Sequence, residues 1–272
     1  EVALDHGLRI DPAALRECIE HDRKGGLNPW LVAASAGTTD SGSVDPLDAI
    51  ADIATELDVW MHVDAAYGGA FAICEEGRRR LQGIERSDSL VLDPHKGFFI
   101  PCGLGVVLVR EGHKLYDAYH ARGTYMQDVA ADTERSPCDY SAELTRPSRA
   151  LRLWLPLKLR GTAAFAAALE EKLLLARYFY DAVQKIPGVE VGPAPDLSVV
   201  TFRFVPEEGD ADTFNRTLVE AISADGRVFL ASTRIDGKFV IRMAILTYHS
   251  HLEDVDLALQ VIRELIEKVS LR

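Results

Sequence analysis

The sequence predicts an α/β protein with a mainly parallel sheet, followed by a smaller α+β unit, and three observations carry that expectation. In the first half, apolar runs at residues 30–34, 59–63 and 89–92 are separated by longer stretches, and the one at 46–57 is amphipathic. That is the rhythm of strands joined by crossovers. Beyond position 192, strand-like runs at 198–204, 227–231 and 239–245 alternate with helical patterns at 210–224 and 252–269. Finally, 272 residues, 47% of them hydrophobic, suffice for one large domain or two smaller ones.

Taken in order, residues 2–4 read as a short strand and 12–20 as a helix. The helix at 46–57 is signed by Asp45 as N-cap and Pro46 at the first helical position, with Ile50, Ile53, Ala54 and Leu57 on one face. Residues 104–109, between Gly103 and Arg110-Glu111-Gly112, read as one more buried strand. Residues 123–147 are polar, contain Pro137 and lack a period; a loop this long in a compact domain is typically functional, and it is read as a lid. From 148 to 186 the pattern is helical, with a break near 159–162 and a stop at Pro187-Gly188. Gly192-Pro193-Ala194-Pro195 is a linker-like turn. The expected division is therefore a large domain over 1–147, connecting helices over 148–187, and a small α+β domain over 188–272.

Charge narrows the partners. Thirty basic residues against 42 acidic ones give a net charge of −12, which repels nucleic acid and anionic lipid surfaces. Cys18, Cys74, Cys102 and Cys138 have no paired metal-type spacing, and no run is apolar and long enough to span a bilayer. The expected setting is the cytoplasm, with reduced thiols. Because the chain opens on Glu1 rather than Met, an upstream portion is expected to have been removed.

Three segments carry chemistry: Ser35-Ala36-Gly37-Thr38-Thr39, His62-Val63-Asp64-Ala65-Ala66-Tyr67-Gly68-Gly69, and Asp93-Pro94-His95-Lys96-Gly97. Each follows a predicted strand, and ligands of open α/β sheets bind beyond the carboxyl ends of the strands. Taken singly, the residues have ordinary readings: a surface lysine, a strand-end cap, a glycine turn, a packing alanine. Jointly they supply what pyridoxal phosphate (PLP) requires. A lysine forms the Schiff base, and an acid keeps the pyridine nitrogen protonated so that the ring accepts electrons. Lys96 and Asp64 fit those roles, and Ala66 leaves room for a flat ring.

These segments resemble those of the group II PLP-dependent decarboxylases, which include aromatic-L-amino-acid, histidine and glutamate decarboxylases. The resemblance covers essentially the whole chain and implies the fold-type I, aspartate aminotransferase-like architecture. It implies Lys96 as the Schiff-base lysine, Asp64 beside the pyridine nitrogen, Ala66 packed on the ring, and Thr39 and His95 as cofactor contacts, His95 toward the phosphate. Asp93 stands where many members place an Asn against the phosphate; a carboxylate there repels a dianion unless another group compensates, and the alternative is a turn cap. The family's N-terminal portion, with a histidine that stacks on the cofactor and small residues that cradle the phosphate, has no counterpart here, so the chain is expected to be a fragment or a processing product.

For the reaction, Gly123-Thr124-Tyr125-Met126 resembles the family's catalytic loop, where a tyrosine is associated with proton delivery to the quinonoid carbon. Tyr125 is the implied catalytic partner of Lys96, and in aldehyde-forming relatives this position is typically phenylalanine. Arg149, within a cluster with Arg146 and Arg152, matches a family arginine; it is a candidate for the substrate anion or a simple partner of Glu143. His249-Ser250-His251 reads as a polar loop, and no metal is expected. The resemblance implies release of carbon dioxide from an L-amino acid, aromatic first among the choices, by a homodimer. The alternatives are another fold-type I PLP enzyme (an aldehyde-forming oxidative decarboxylase, a lyase or an aminotransferase) and a non-catalytic fragment or partner.

Overall fold

The computed structural model of the chain describes residues 2–120 and 136–271. Helix α1 (Pro12–Lys24) starts where Asp11 accepts from the backbone nitrogens of Ala13 and Ala14. It is followed by β1 (Leu31–Ser35), α2 (Leu47–Glu56) and β2 (Trp60–Asp64). A 3-10 turn at Gly69–Ile73, the short helix α3 (Glu75–Arg80) and a second turn at Ile84–Arg86 lead to β3 (Ser89–Leu92), the four-residue helix α4 (Pro94–Gly97) and β4 (Val106–Val109). The strands lie in the order β1-β2-β3-β4. The first three are parallel, in a register that places Ser35 beside Asp64 and Asp64 beside Val91. Strand β4 runs antiparallel to β3.

Helix α5 (Gly112–Tyr119) and a 3-10 turn at Pro137–Tyr140 flank the residues outside the description, and His120 Nδ1 lies 3.1 Å from Asp139 Oδ1 across them. Helices α6 (Leu151–Arg160) and α7 (Thr162–Val183) meet at Gly161, whose φ of 73° supplies the expected break. The remainder alternates β5 (Val189–Val191), β6 (Val199–Phe204), α8 (Ala211–Asp225), β7 (Ala231–Ile235), β8 (Lys238–Ala244) and α9 (Leu252–Ser270). Its sheet is antiparallel throughout, in the order β5-β6-β8-β7.

Two apolar cores result. One gathers Leu15, Ile50, Met61, Val63 and Phe71 around the parallel sheet and reaches Leu169 and Leu173 of α7. The other gathers Val200, Phe202, Leu218, Ile241 and Ile262, and takes Leu175, Ala176 and Phe179 from the same helix. The 192–195 turn leads into a firm anchor: Asp196 accepts both Arg9 Nε and Nη2, at 3.1 and 2.6 Å, and the backbone nitrogen of Val44 at 2.9 Å.

Four local expectations need correction. Asp45 does not cap α2; the helix begins at Leu47 after Pro46, without a side-chain cap. The Asp45 carboxylate, 6% exposed, instead accepts the backbone nitrogens of Ile10 at 2.7 Å and Ser35 at 2.6 Å, and burial pushes its carboxyl above the usual range despite those bonds. Residues 104–109 are not a buried strand, because β4 leaves Val107 and Leu108 about half exposed. Residues 2–4 make only an isolated bridge, Leu4 to Ile10. The run at 227–231 gives way to β7 at Ala231–Ile235, which pairs with β8 through an Asp236-Gly237 turn with both φ angles positive, 49° and 76°. That dipeptide between two strands is a hairpin signal, and it fixes the register.

Candidate active site

Beyond the carboxyl ends of β1, β2 and β3, the three sequence segments are joined to one another through their backbones. Ala36 N donates to Asp64 O at 2.8 Å, and Gly68 N donates back to Ala36 O at 3.0 Å. On the other side, Ala65 N donates to Val91 O at 2.9 Å and Asp93 N to Ala66 O at 3.2 Å. The loop after β2 is thus held between the loops after β1 and β3. Close approach requires glycine at two of these places. A Cβ on Gly68 would lie 2.1 Å from Ala36 O, and one on Gly97 would lie 2.4 Å from Ala70 Cβ.

Within this frame, Asp64 is exposed at the end of β2, and its Oδ1 accepts from Ala66 N at 3.0 Å. Its second oxygen has no hydrogen-bond partner among the described residues. Ala66 follows on the same turn. Lys96 sits in α4, its backbone nitrogen bonded to Asp93 O at 2.9 Å and its Nζ 2.9 Å from Asp93 Oδ2. His95 lies between the same carboxylate and the following loop: Nδ1 is 3.3 Å from Leu104 O and Nε2 4.0 Å from Asp93 Oδ2. Asp93 is therefore engaged by its own turn.

Thr39 is exposed at the tip of the loop after β1, which is closed by Thr38 Oγ1 and Ser41 Oγ at 2.8 Å and by Gly42 N on Thr38 O at 2.9 Å. The arginines do not act as a cluster. Arg149 forks onto Glu143 at 2.7 and 3.2 Å, Arg146 donates to Ser141 Oγ, and Arg152 donates to Cys102 O at 2.9 Å. Hydrogen bonding to Glu143 holds the Arg149 guanidinium above its ordinary value. Tyr125 and its neighbours Gly123, Thr124 and Met126 lie outside the described residues. His251 caps α9 and pairs with Glu171 at 2.7 Å, and no metal-binding group of side chains occurs among the described residues.

Sequence reasoning missed Tyr67, Ser198 and Lys172. The Tyr67 hydroxyl and Ser198 Oγ are 2.7 Å apart, linking the Asp64 loop to the entrance of β6, and burial pushes the phenol up to about 12. Tyr67 stands inside the quoted motif, but nothing in the sequence indicates its partner 131 residues away.

The site fits PLP on its own chemistry. A pyridinium nitrogen calls for a carboxylate oxygen left open, which Asp64 offers among the described residues; a flat ring calls for a small neighbour, which Ala66 is; an aldehyde calls for an amine, and Lys96 stands on the adjoining loop, sewn to Ala66 through Asp93.

A mixed, mostly parallel sheet with a lysine on the turn after β3 is the architecture of fold-type I PLP proteins. Among solved structures, the chain superimposes on Oryza sativa TDC, solved with PLP and tryptamine, with a TM-score of 0.91 and 31% identity, covering 97% of this chain and 56% of that one. Residues 1–205 match the pyridoxal-dependent decarboxylase conserved domain, and the chain belongs to that family. It is 36% identical to an aromatic-L-amino-acid decarboxylase of Bacillus atrophaeus over 99% of this chain and 58% of the relative. It is also 32% identical to a phenylacetaldehyde synthase of Arabidopsis thaliana over 90% of this chain and 52% of the relative. The chain spans about half the length of the curated relatives it matches. No helix among the described residues is long and apolar enough to cross a membrane.

Proposed function

We propose that the protein is a PLP-dependent carboxy-lyase that releases carbon dioxide from an L-amino acid, aromatic first, to give the amine. The observation that carries this reading is the joining of the Asp64 and Lys96 loops by the Asp93 N to Ala66 O bond at the carboxyl edge of a parallel sheet. Lys96 tethers the cofactor through Nζ, and Asp64 holds a proton on the pyridine nitrogen. Ala66 leaves the ring its space, with Thr39, His95 and Asp93 as further cofactor contacts. When bound, PLP supplies a sink for the electron pair left by the departing carboxylate. Tyr125 Oη delivers the proton that completes the amine. Arg149, released from Glu143, positions the substrate anion. The amino-acid substrate is the expected small-molecule partner, and the working unit is a homodimer in the cytoplasm. Residues 1–147 serve as the cofactor-binding domain with its lid, 148–187 as connecting helices and 188–272 as the small domain.

The test is an absorption spectrum after PLP addition to the protein and to Lys96→Ala, followed by borohydride trapping, peptide mapping and a screen of L-tyrosine, L-tryptophan and L-glutamate for carbon dioxide release. A band at about 410–430 nm that is lost in the variant and trapped on Lys96 is expected. A wild-type protein that binds PLP at another lysine would sink the assignment. A second reading, aldehyde formation, is favoured by the likeness to the phenylacetaldehyde synthase and opposed by Tyr125. Assaying aldehyde beside amine separates the two.

A further inference from the structure

The turn that carries Lys96 also fixes a carboxylate on its amine. Asp93 cannot drift from this position: its backbone nitrogen is bound to Ala66 O at 3.2 Å, the ring of Pro94 confines the backbone of Asp93 before it to the extended region, and its carbonyl accepts from Lys96 N at 2.9 Å. The carboxylate is half-buried, with Oδ1 flanked by Gly105, where a Cβ would come within 3.6 Å. Oδ2 lies 2.9 Å from Lys96 Nζ and 4.0 Å from His95 Nε2. Among the described residues, Asp93 is the one acid paired with Lys96.

We propose that Asp93 is a counter-ion that gates the reactivity of Lys96, so that condensation with an aldehyde begins by breaking the Asp93–Lys96 pair. This rests on the assignment of Lys96 as the cofactor lysine. In the condensation, the ammonium first releases a proton to solvent, and the freed nitrogen pair forms the bond to the carbonyl carbon. The carbonyl oxygen then takes one proton from that nitrogen and one back from solvent, and leaves as water as the C=N bond forms. Ammonium plus aldehyde gives protonated imine plus one water, with no oxidant or reductant. A carboxylate in contact with the amine opposes this condensation, because the nitrogen has to leave Asp93 Oδ2, 2.9 Å away, before it can approach a carbonyl carbon. Asp93 is a positioning residue, holding the nitrogen on its turn at the expense of speed.

The experiment compares the protein with Asp93→Asn and Asp93→Glu in two arms at fixed pH. One arm labels amines with trinitrobenzenesulfonate and reads Lys96 against Lys114 by peptide mapping. Lys114 is a built-in control, since it is paired with Glu111 at the same i,i+3 spacing, 3.2 Å apart. The other arm follows trapping of PLP on Lys96 by borohydride.

In both arms the Asn variant is expected to react about two- to fivefold faster at Lys96, with Lys114 unchanged, and Asp93→Glu to restore the wild-type rate. Added salt is expected to speed the wild type toward the Asn variant and to leave the variant nearly unmoved, because screening loosens a pair that solvent still reaches. An Asn variant that labels no faster, or a wild type insensitive to salt, overturns the proposal while PLP trapping on Lys96 leaves the cofactor reading intact. Labelling without any PLP trapping on Lys96 overturns the cofactor reading itself, and the role of Asp93 in loading with it.

Discussion

The ammonium of Lys172, a residue with no exposed side-chain surface, donates to the carbonyl oxygen of Ser250 and ties α7 to the loop that enters α9. The same nitrogen reaches Tyr248 O at 3.4 Å and Glu171 Oε2 at 2.7 Å, so all three of its donors are used. Burial alone would push the Glu171 carboxyl up, but the bonds from His251 and Lys172 outweigh it and hold the group below its ordinary range. The ring of Tyr248 in turn meets Phe99, three residues beyond Lys96, edge-on at 5.7 Å.

Replacing Lys172 by Met keeps most of the stem and removes the donors. Two backbone carbonyls lose a partner, while Glu171, 37% exposed, turns to water. A loss of about 2–3 kcal/mol is expected, at the low end for a broken buried pair. Urea denaturation measures it, and a midpoint within error of wild type would show that the nitrogen contributes nothing net.

Tyr67 predicts an alkaline signature. Its phenol is raised to about 12 from 10.0, so between those values the folded protein keeps a proton that the unfolded chain has lost. Stability from this group is complete below pH 10 and falls as pH rises toward 12. Among the eight tyrosines, Tyr67 should be the last to develop phenolate absorbance. In Tyr67→Phe that late step disappears and the alkaline decline becomes shallower. At neutral pH the variant loses about 1–2 kcal/mol, because the buried Ser198 hydroxyl is left without its partner. A late step that persists in Tyr67→Phe would assign it to another tyrosine.

Gly68→Ala places a methyl against a carbonyl of the neighbouring loop that is itself hydrogen-bonded to Gly68 N. Neither backbone segment can yield without breaking that bond. A cost of about 2–3 kcal/mol is expected, together with slower PLP trapping on Lys96 as the loops separate. Thermal unfolding reads the first and borohydride trapping the second; a variant as stable as wild type would mean the loops part easily.

Much of this was legible in the sequence because the period of a long element survives averaging. Helices α2, α7 and α9 and strands β1, β2, β3, β6 and β8 all fall near their expected positions, as does the break at Gly161. The Asp64 and Lys96 loops came together because each followed a strand end, and parallel register aligns such ends. What escaped was either too short to show a period, as with α3, α4 and β5, or set by a partner distant in the chain. Asp45 had the local signature of a helix cap, yet its carboxylate is claimed by Ser35 and Ile10. In the sequence Lys172 is one more polar position on a long helix, and only the fold of the α9 loop brings it the carbonyls of Tyr248 and Ser250. For Arg149 the sequence allows both a pairing with Glu143, six residues earlier, and an anion site, and spacing alone does not select between them.

Helix α7 is a wall of both apolar cores: Leu169 and Leu173 lie in one, Leu175 and Phe179 in the other. Neither core can melt without stripping partners from a rod that the other still requires. Damage in the antiparallel sheet, far from Lys96, is therefore expected to weaken the helix that also packs behind the turn that carries it.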